Sequence, residues 1–198
     1  MFKKHTKHIG YILVGLLILG VLYALKNTNY FIRCIGFVVS IFLFFMGDKF
    51  LRFRFKKNHY YIIILISVFG IMLSPLYYIS PFYDKALHLI FPTFVGILVF
   101  FLVNKLEIKF SVKLTITFCV IIAILAIHEI VEYFLDWMFD FKLQGVYFRD
   151  YPGLEKLNII MDKNNDTMID LGLGVLGSLI FIFIKTATYW YKKLKLKN

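Results

Sequence analysis

Long apolar runs separated by short polar segments organise this chain, and six of them approach the length of a bilayer crossing. They are Ile9–Leu25, Tyr30–Gly47, Tyr60–Ile79, Leu87–Val103, Leu114–Leu135 and Met168–Ile184. A spanning helix needs about 17–25 mostly apolar residues, so each run predicts a transmembrane helix. The second carries Arg33 near one end, where a long side chain is expected to snorkel to the head groups. The predicted fold class is all-α: a polytopic helical bundle of about six spans, with residues 1–198 as a single membrane domain.

The first run follows Lys3, Lys4 and Lys7, like the basic start of a signal peptide. No small-x-small cleavage site follows, since Leu22-Tyr23-Ala24 fits poorly, so an uncleaved first span is expected. The one long connection, Asp136–Thr167, is expected to be an outer loop over the polar groups described below. Tyr151-Pro152-Gly153 marks a turn in it, and the segment LEKLNIIMD after that turn is expected to form a short surface helix.

Composition strengthens the membrane assignment. Apolar residues make up 60% of the chain and charged residues 18%, against about 45–50% and 25% in ordinary soluble domains. Mean hydropathy is +0.76. The net charge of +11 could suggest nucleic acid, but the basic residues flank the apolar runs. There they read as topology signals and contacts to anionic membrane lipids, and no nucleic-acid partner is expected. With both termini cytoplasmic, 16 of the 23 Lys and Arg fall on the inner side. The expected location is the cell membrane, multi-pass.

The acids run the other way. Ten of the 12 Asp and Glu fall on the outer side, and acidic residues contribute little to orientation, so topology does not explain them. The segment DKFLRFRFKKNHYY after the second run interleaves Phe50, Phe53 and Phe55 with basic residues, as an interfacial anchor does. Trp190 between Tyr189 and Tyr191 reads as an aromatic belt, with Trp137 in that part on the opposite side. Cys34 and Cys119 lie at different depths, too far apart to bridge, and both read as buried apolar fillers.

Helical spacing turns the acids into pairs. Asp84 and His88 share a face at the start of the fourth run, His128 and Glu132 share one at the end of the fifth beside Glu129, and Asp166 and Asp170 share one before the sixth. Helix dipole and N-capping account for Asp84 and Asp166 without any ligand. They do not account for Glu129 and Glu132, where the dipole at a helix C-terminus opposes a negative charge. His128 taken alone fits a hydrogen-bonded structural histidine as well as a ligand. A charge held in a bilayer is costly and points to use.

Carboxylates and imidazoles without a suitable Cys suit a hard or borderline divalent metal. The expected ligands are Asp84, His88, His128, Glu129, Glu132, Asp166 and Asp170. One of Glu129 and Glu132 is expected to be catalytic, as general base on a water activated by that metal cofactor. Known short motifs fail here. HEIVE ends in Glu132 where a zincin needs His, and DKNND lacks the Gly and the final Glu of a calcium loop. GLGVLG at Gly172–Gly177 lies in an apolar run with no preceding strand, so it predicts close helix packing rather than dinucleotide binding.

The segments YDKALHLIFP, HEIVEYFLDWMFD, LQGV and DKNNDTMIDLGLGVLG, taken in order, resemble the YjdF-like family of bacterial membrane proteins. They are similar in outline to the more distant VanZ-like proteins linked to glycopeptide resistance, which tend to have Glu followed by Gln where this chain has Glu129 and Glu132. The resemblance covers Tyr83 to Leu179 and implies a multi-span membrane fold; it brings no activity with it. From the residues, the leading expectation is a metal-dependent enzyme acting on a lipid or cell-envelope substrate at the outer leaflet. Two alternatives stand beside it: a cation- or proton-coupled transporter, and a non-catalytic envelope protein whose polar layer locks three helices together.

Overall fold

A computed structural model describes residues 30–149 and 157–196. The run Ile9–Leu25 and the Tyr151-Pro152-Gly153 turn lie outside the described residues. The described residues are all-α apart from one small two-stranded antiparallel sheet. Its elements are α1 (Tyr30–Leu51), α2 (Lys57–Ser67), α3 (Pro81–Val103), α4 (Phe110–Phe139), β1 (Val146–Arg149), β2 (Leu157–Met161) and α5 (Lys163–Lys195). Four of them, α1, α3, α4 and α5, are long and apolar enough to cross a membrane.

The run Tyr60–Ile79 differs from a straight span. The apolar helix there covers Lys57–Met72, its last turn at Val68–Met72 is a π-turn, and a 3-10 turn follows at Ser74–Tyr78. A π-turn leaves main-chain carbonyls without their usual helical donors. Arg33 supplies one: its guanidinium donates to the Ile71 carbonyl at 3.4 Å and to the Ser74 hydroxyl. Arg33 is thus satisfied at least in part by the helix beside it. A second polar contact, 2.7 Å between the Ser40 and Ser67 hydroxyls, ties α1 to α2.

Cys34 packs with Phe37, Val68 and Leu73 around buried Met72, as a filler should. Cys119 does not: it is exposed on α4. In an apolar helix the outside is lipid, where a thiol meets no penalty for leaving the core. In the basic-aromatic segment after α1 the five basic residues are exposed, while Phe53 and Phe55 turn partly inward. Asp48 accepts from the Phe55 amide at 3.0 Å and from the Tyr60 hydroxyl at 2.6 Å, and Phe55 stacks on Phe44. Phe50 alone of the three phenylalanines points well outward, at 74% exposed.

The described residues divide into two compact units, one ending at Leu76 and one beginning at Tyr77. In the second unit α3, α4 and α5 pack on one another. The short link from Asn104 to Lys109 makes α4 antiparallel to α3, and α5 runs parallel to α3. Lipid tails are as apolar as a helix surface, so association here relies on close packing rather than on the hydrophobic effect. Thr117, Ile121, Ser178 and Phe181 fill the centre, while Ile127, Phe134, Met138, Leu179 and Phe183 face outward.

The close approach is made by the glycines of GLGVLG. A Cβ on Gly177 would lie 2.1 Å from the Leu89 carbonyl oxygen of α3, and one on Gly174 would lie 2.6 Å from Leu125 of α4. Gly172 has nothing within 4 Å. Helix packing is thus what two of the three glycines serve.

At about 1.5 Å per residue, the 30 residues of α4 and 33 of α5 make rods of roughly 45 and 50 Å, longer than the hydrocarbon core. Both continue into polar sequence because a started helix keeps satisfying its backbone wherever the side chains sit. The loop between α4 and α5 is correspondingly shorter than the Asp136–Thr167 expected, running from Asp140 to Asp162. The LEKLNIIMD segment is not helical at Leu157–Met161. Those residues pair antiparallel with β1, Tyr147 opposite Ile159, because an edge offered by β1 satisfies their backbone groups within the loop.

Candidate functional site

One end of the three-helix unit gathers the polar side chains of three helices. Asp84 and His88 sit in the first two turns of α3, Asp166 and Asp170 in the first two of α5, and His128, Glu129 and Glu132 near the end of α4. The antiparallel path of α4 is what brings its last turns beside the first turns of the other two.

Asp84, His88 and Asp170 form the tightest group, each offering a ligand atom within 4.8 Å of the others. His88 Nε2 is 3.5 Å from Asp84 Oδ1, and its Nδ1 is 3.7 Å from Glu129 Oε1. His88, Glu129, Asp166 and Asp170 are buried, Asp84 and Glu132 are half-buried, and His128 is exposed. His128 stacks on His88 with ring centroids 5.6 Å apart, and its Nε2 lies 3.4 Å from Glu132 Oε1. The seven residues are therefore neighbours but not one ligand shell.

A residue that sequence reasoning passed over sits at the centre. The Lys85 ammonium donates to both carboxylate oxygens of Asp170 at 2.7 Å, to Asp84 at 3.1 Å and to Asp166. Its signal in the sequence was faint: a single Lys beside Asp84 at the head of an apolar run, counted there as one more flanking cation.

The loop closes over this end through its own backbone. The Gly145 amide donates to Asp166 Oδ2 at 2.7 Å, so Asp166 is committed to Lys85 on one oxygen and to the loop on the other. Gly145 holds φ +89°, which L side chains rarely adopt, and a Cβ there would sit 3.2 Å from the Met161 carbonyl. Asp136 anchors the same loop: it accepts from the Leu143 and Gln144 amides at 2.7 and 3.1 Å and from Lys163 at 3.0 Å. The Gln144 side chain donates to Thr167 Oγ1 at 3.1 Å, and Thr167 in turn hydrogen-bonds Glu129. None of Asp136, Gln144 or Thr167 stood out in the sequence, because their partners are main-chain groups of a loop with no fixed spacing.

Beyond the helices, the carboxylate of Asp140 bonds Lys142 and holds that ammonium's pKa above its usual value. Asp162 caps α5 by accepting from the Asn165 amide at 3.1 Å, and that bond holds its carboxyl below the usual aspartate range.

The fit to a metal can be judged from these atoms. Hard and borderline cations sit about 2.0–2.6 Å from oxygen or imidazole ligands, so atoms that all lie within 4.8 Å of one another are close enough for one ion to bridge. Charge favours such an ion. Five acidic side chains gather there with one lysine, which bonds three of them, Asp84, Asp166 and Asp170. Lys85 opposes it, since its ammonium occupies both oxygens of Asp170.

Long apolar helices enclosing an ionisable layer define a multi-pass membrane protein, with an Asp-His-Asp group that could hold a metal. Residues 7–191 match the family described as predicted membrane protein (DUF2238), and the chain belongs to that family. The YjdF-like resemblance is consistent with this membership. No curated protein and no solved structure matches the chain.

Proposed function

We propose that this chain is a single six-span membrane domain with both termini cytoplasmic, and a metal-dependent enzyme acting on a lipid or cell-envelope substrate at the outer leaflet of the cell membrane. Asp84, His88 and Asp170 would hold a divalent cation. Such a cation supplies Lewis acidity toward a substrate oxygen. Glu129, placed by His88 and Thr167, is the general base; Glu132 and His128 lie beside it toward the lipid face of α4, and Asp166 holds the loop in place. The observation that carries this reading is the convergence of Asp84, His88 and Asp170, each with a ligand atom within 4.8 Å of the others, because acids held together in such surroundings call for a cation.

The test is the metal content of the full chain purified in detergent, together with its thermal stability in Mg, Mn, Zn or Ca. About one equivalent of a divalent ion is expected by the charge argument, retained in Glu129→Gln and lost in Asp170→Asn. Head-group or phosphate release from envelope lipids should disappear in both variants. If the wild type neither holds nor is stabilised by any divalent ion, the reading fails.

The Lys85 contacts favour a second reading, a non-catalytic protein in which Lys85 is itself the counter-ion locking α3 to α5. Full stability without metal, and no response to added metal, would be its signature.

A further inference from the structure

The opposite end of the same three-helix unit carries a second site of contrary charge. A cavity of about 370 Å³ opens where α3 ends, α4 begins and α5 nears its end, and Lys113, Lys185 and Lys192 all line it. No Asp or Glu lines it, and among the described residues none of these three lysines pairs with a carboxylate. From Asp84 to Asn104 is about 30 Å along α3, the thickness of a hydrocarbon core, so the two sites stand at opposite membrane surfaces.

Basic residues that only mark topology are solvated and free to move. Two of these are held. Lys113 is half-buried and donates to the Asn104 carbonyl at 2.9 Å and to its side-chain oxygen at 3.2 Å. Both acceptors are neutral, so its position is set while its charge stays uncompensated. Lys185, also half-buried, lies over the rings of Phe100 and Phe181 at 4.9 and 5.6 Å. Lys192, two turns further on α5, is close enough to repel it. An anion between the ammonium groups relieves that repulsion and takes several donors at once, as a phosphate does. Thr188 adds a hydroxyl to the lining. Phe110, stacked on Tyr189 at 4.1 Å, forms an apolar wall beside the charges. Cations beside an aromatic wall at the membrane surface match a head group whose acyl chains continue into the bilayer.

We propose that this cavity binds a phosphate group, that of an anionic membrane phospholipid or of a free phosphate compound, through Lys113, Lys185 and Lys192. The inference does not depend on any chemistry at the acidic end.

Native mass spectrometry of the delipidated full chain tests it, with phosphatidylglycerol, phosphatidylcholine and inorganic phosphate as probes. Phosphatidylglycerol should be retained about tenfold better than phosphatidylcholine, and K185Q/K192Q should erase that preference. K195Q, which removes a charge outside the cavity, should leave it within about twofold. Retention of phosphatidylglycerol undisturbed by millimolar phosphate identifies the lipid, whereas displacement by phosphate identifies a site for the free anion. Equal retention of the two lipids by the wild type, with no phosphate bound, overturns the proposal even if the double variant does not fold. An equal loss in K195Q and K185Q/K192Q overturns it as well.

Discussion

Lys85 on α3 meets Asp170 on α5 with its ammonium 2.7 Å from each carboxylate oxygen. The two residues are 85 positions apart in the chain, and both are largely shielded, with side chains 14% and 2% exposed. This contact ties two parallel helices at their first turns and divides the possible roles of the site, because the same oxygens serve either the ammonium or a metal.

Replacing Lys85 by Met leaves Asp166 and Asp170 facing each other without their cation. Breaking a buried pair from one side costs about 3–5 kcal/mol, so the melting temperature in detergent should drop sharply. If the Asp84–His88–Asp170 group binds a divalent ion, added Mn or Zn should restore part of the loss in Lys85→Met and bind more tightly than to the wild type. A variant as stable as the wild type without metal would contradict the contact's importance.

Gly177 and Gly172 make a matched pair for testing helix approach. Alanine at 177 would push a Cβ to 2.1 Å from a main-chain oxygen that cannot swing aside, whereas alanine at 172 meets nothing within 4 Å. Gly177→Ala should lose about 1–3 kcal/mol or more through overpacking. Gly172→Ala should gain up to about 1 kcal/mol of helix propensity. Thermal unfolding of the two variants side by side checks the sign of each.

Asp136→Ala removes the acceptor for two loop amides and for Lys163. Those donors lose their partner, at about 1–3 kcal/mol for each one left buried and unsatisfied. Hydrogen exchange at Leu143 and Gln144 should accelerate, and limited proteolysis should cut between Asp140 and Asp162 before it cuts any helix. Unchanged exchange at both amides would show that the loop is held by other contacts.

The Asp162 cap carries a pH dependence whose sign follows from its lowered pKa. The carboxylate form is favoured in the folded chain, so the cap's contribution is complete above the unfolded value of about 3.9. It is lost as pH falls through the lower folded value. Amide exchange at Asn165, taken relative to its intrinsic rate at each pH, should therefore rise below about pH 4 in the wild type. In Asp162→Ala it should already be raised at neutral pH and should show no such step.

The membrane class and the helices that form the site were legible in the chain because both rest on local rules. An apolar run of about 20 residues has few options other than a helix, and helical spacing alone places Asp84 over His88, His128 beside Glu132 and Asp166 beside Asp170. Their ends were not legible. Leu87 was expected to open its span, yet α3 starts at Pro81, since a proline in the first turn suits a helix start whatever the polarity of the residues after it. The break after Met72 was hidden too, because a π-turn and a 3-10 turn can be as apolar as the helix they interrupt.

What the sequence determined by itself, then, was composition, helix and the pairing of residues one turn apart, all fixed within a few residues of chain. Packing between segments set the rest: Lys85 meets Asp170, Gly145 reaches Asp166 through its amide, and three lysines line one cavity. Each of these joins residues from different helices or from a loop, and how closely such segments approach is set by packing at positions such as Gly177. No local pattern encodes that distance, so partners across it become visible only once the helices are in place.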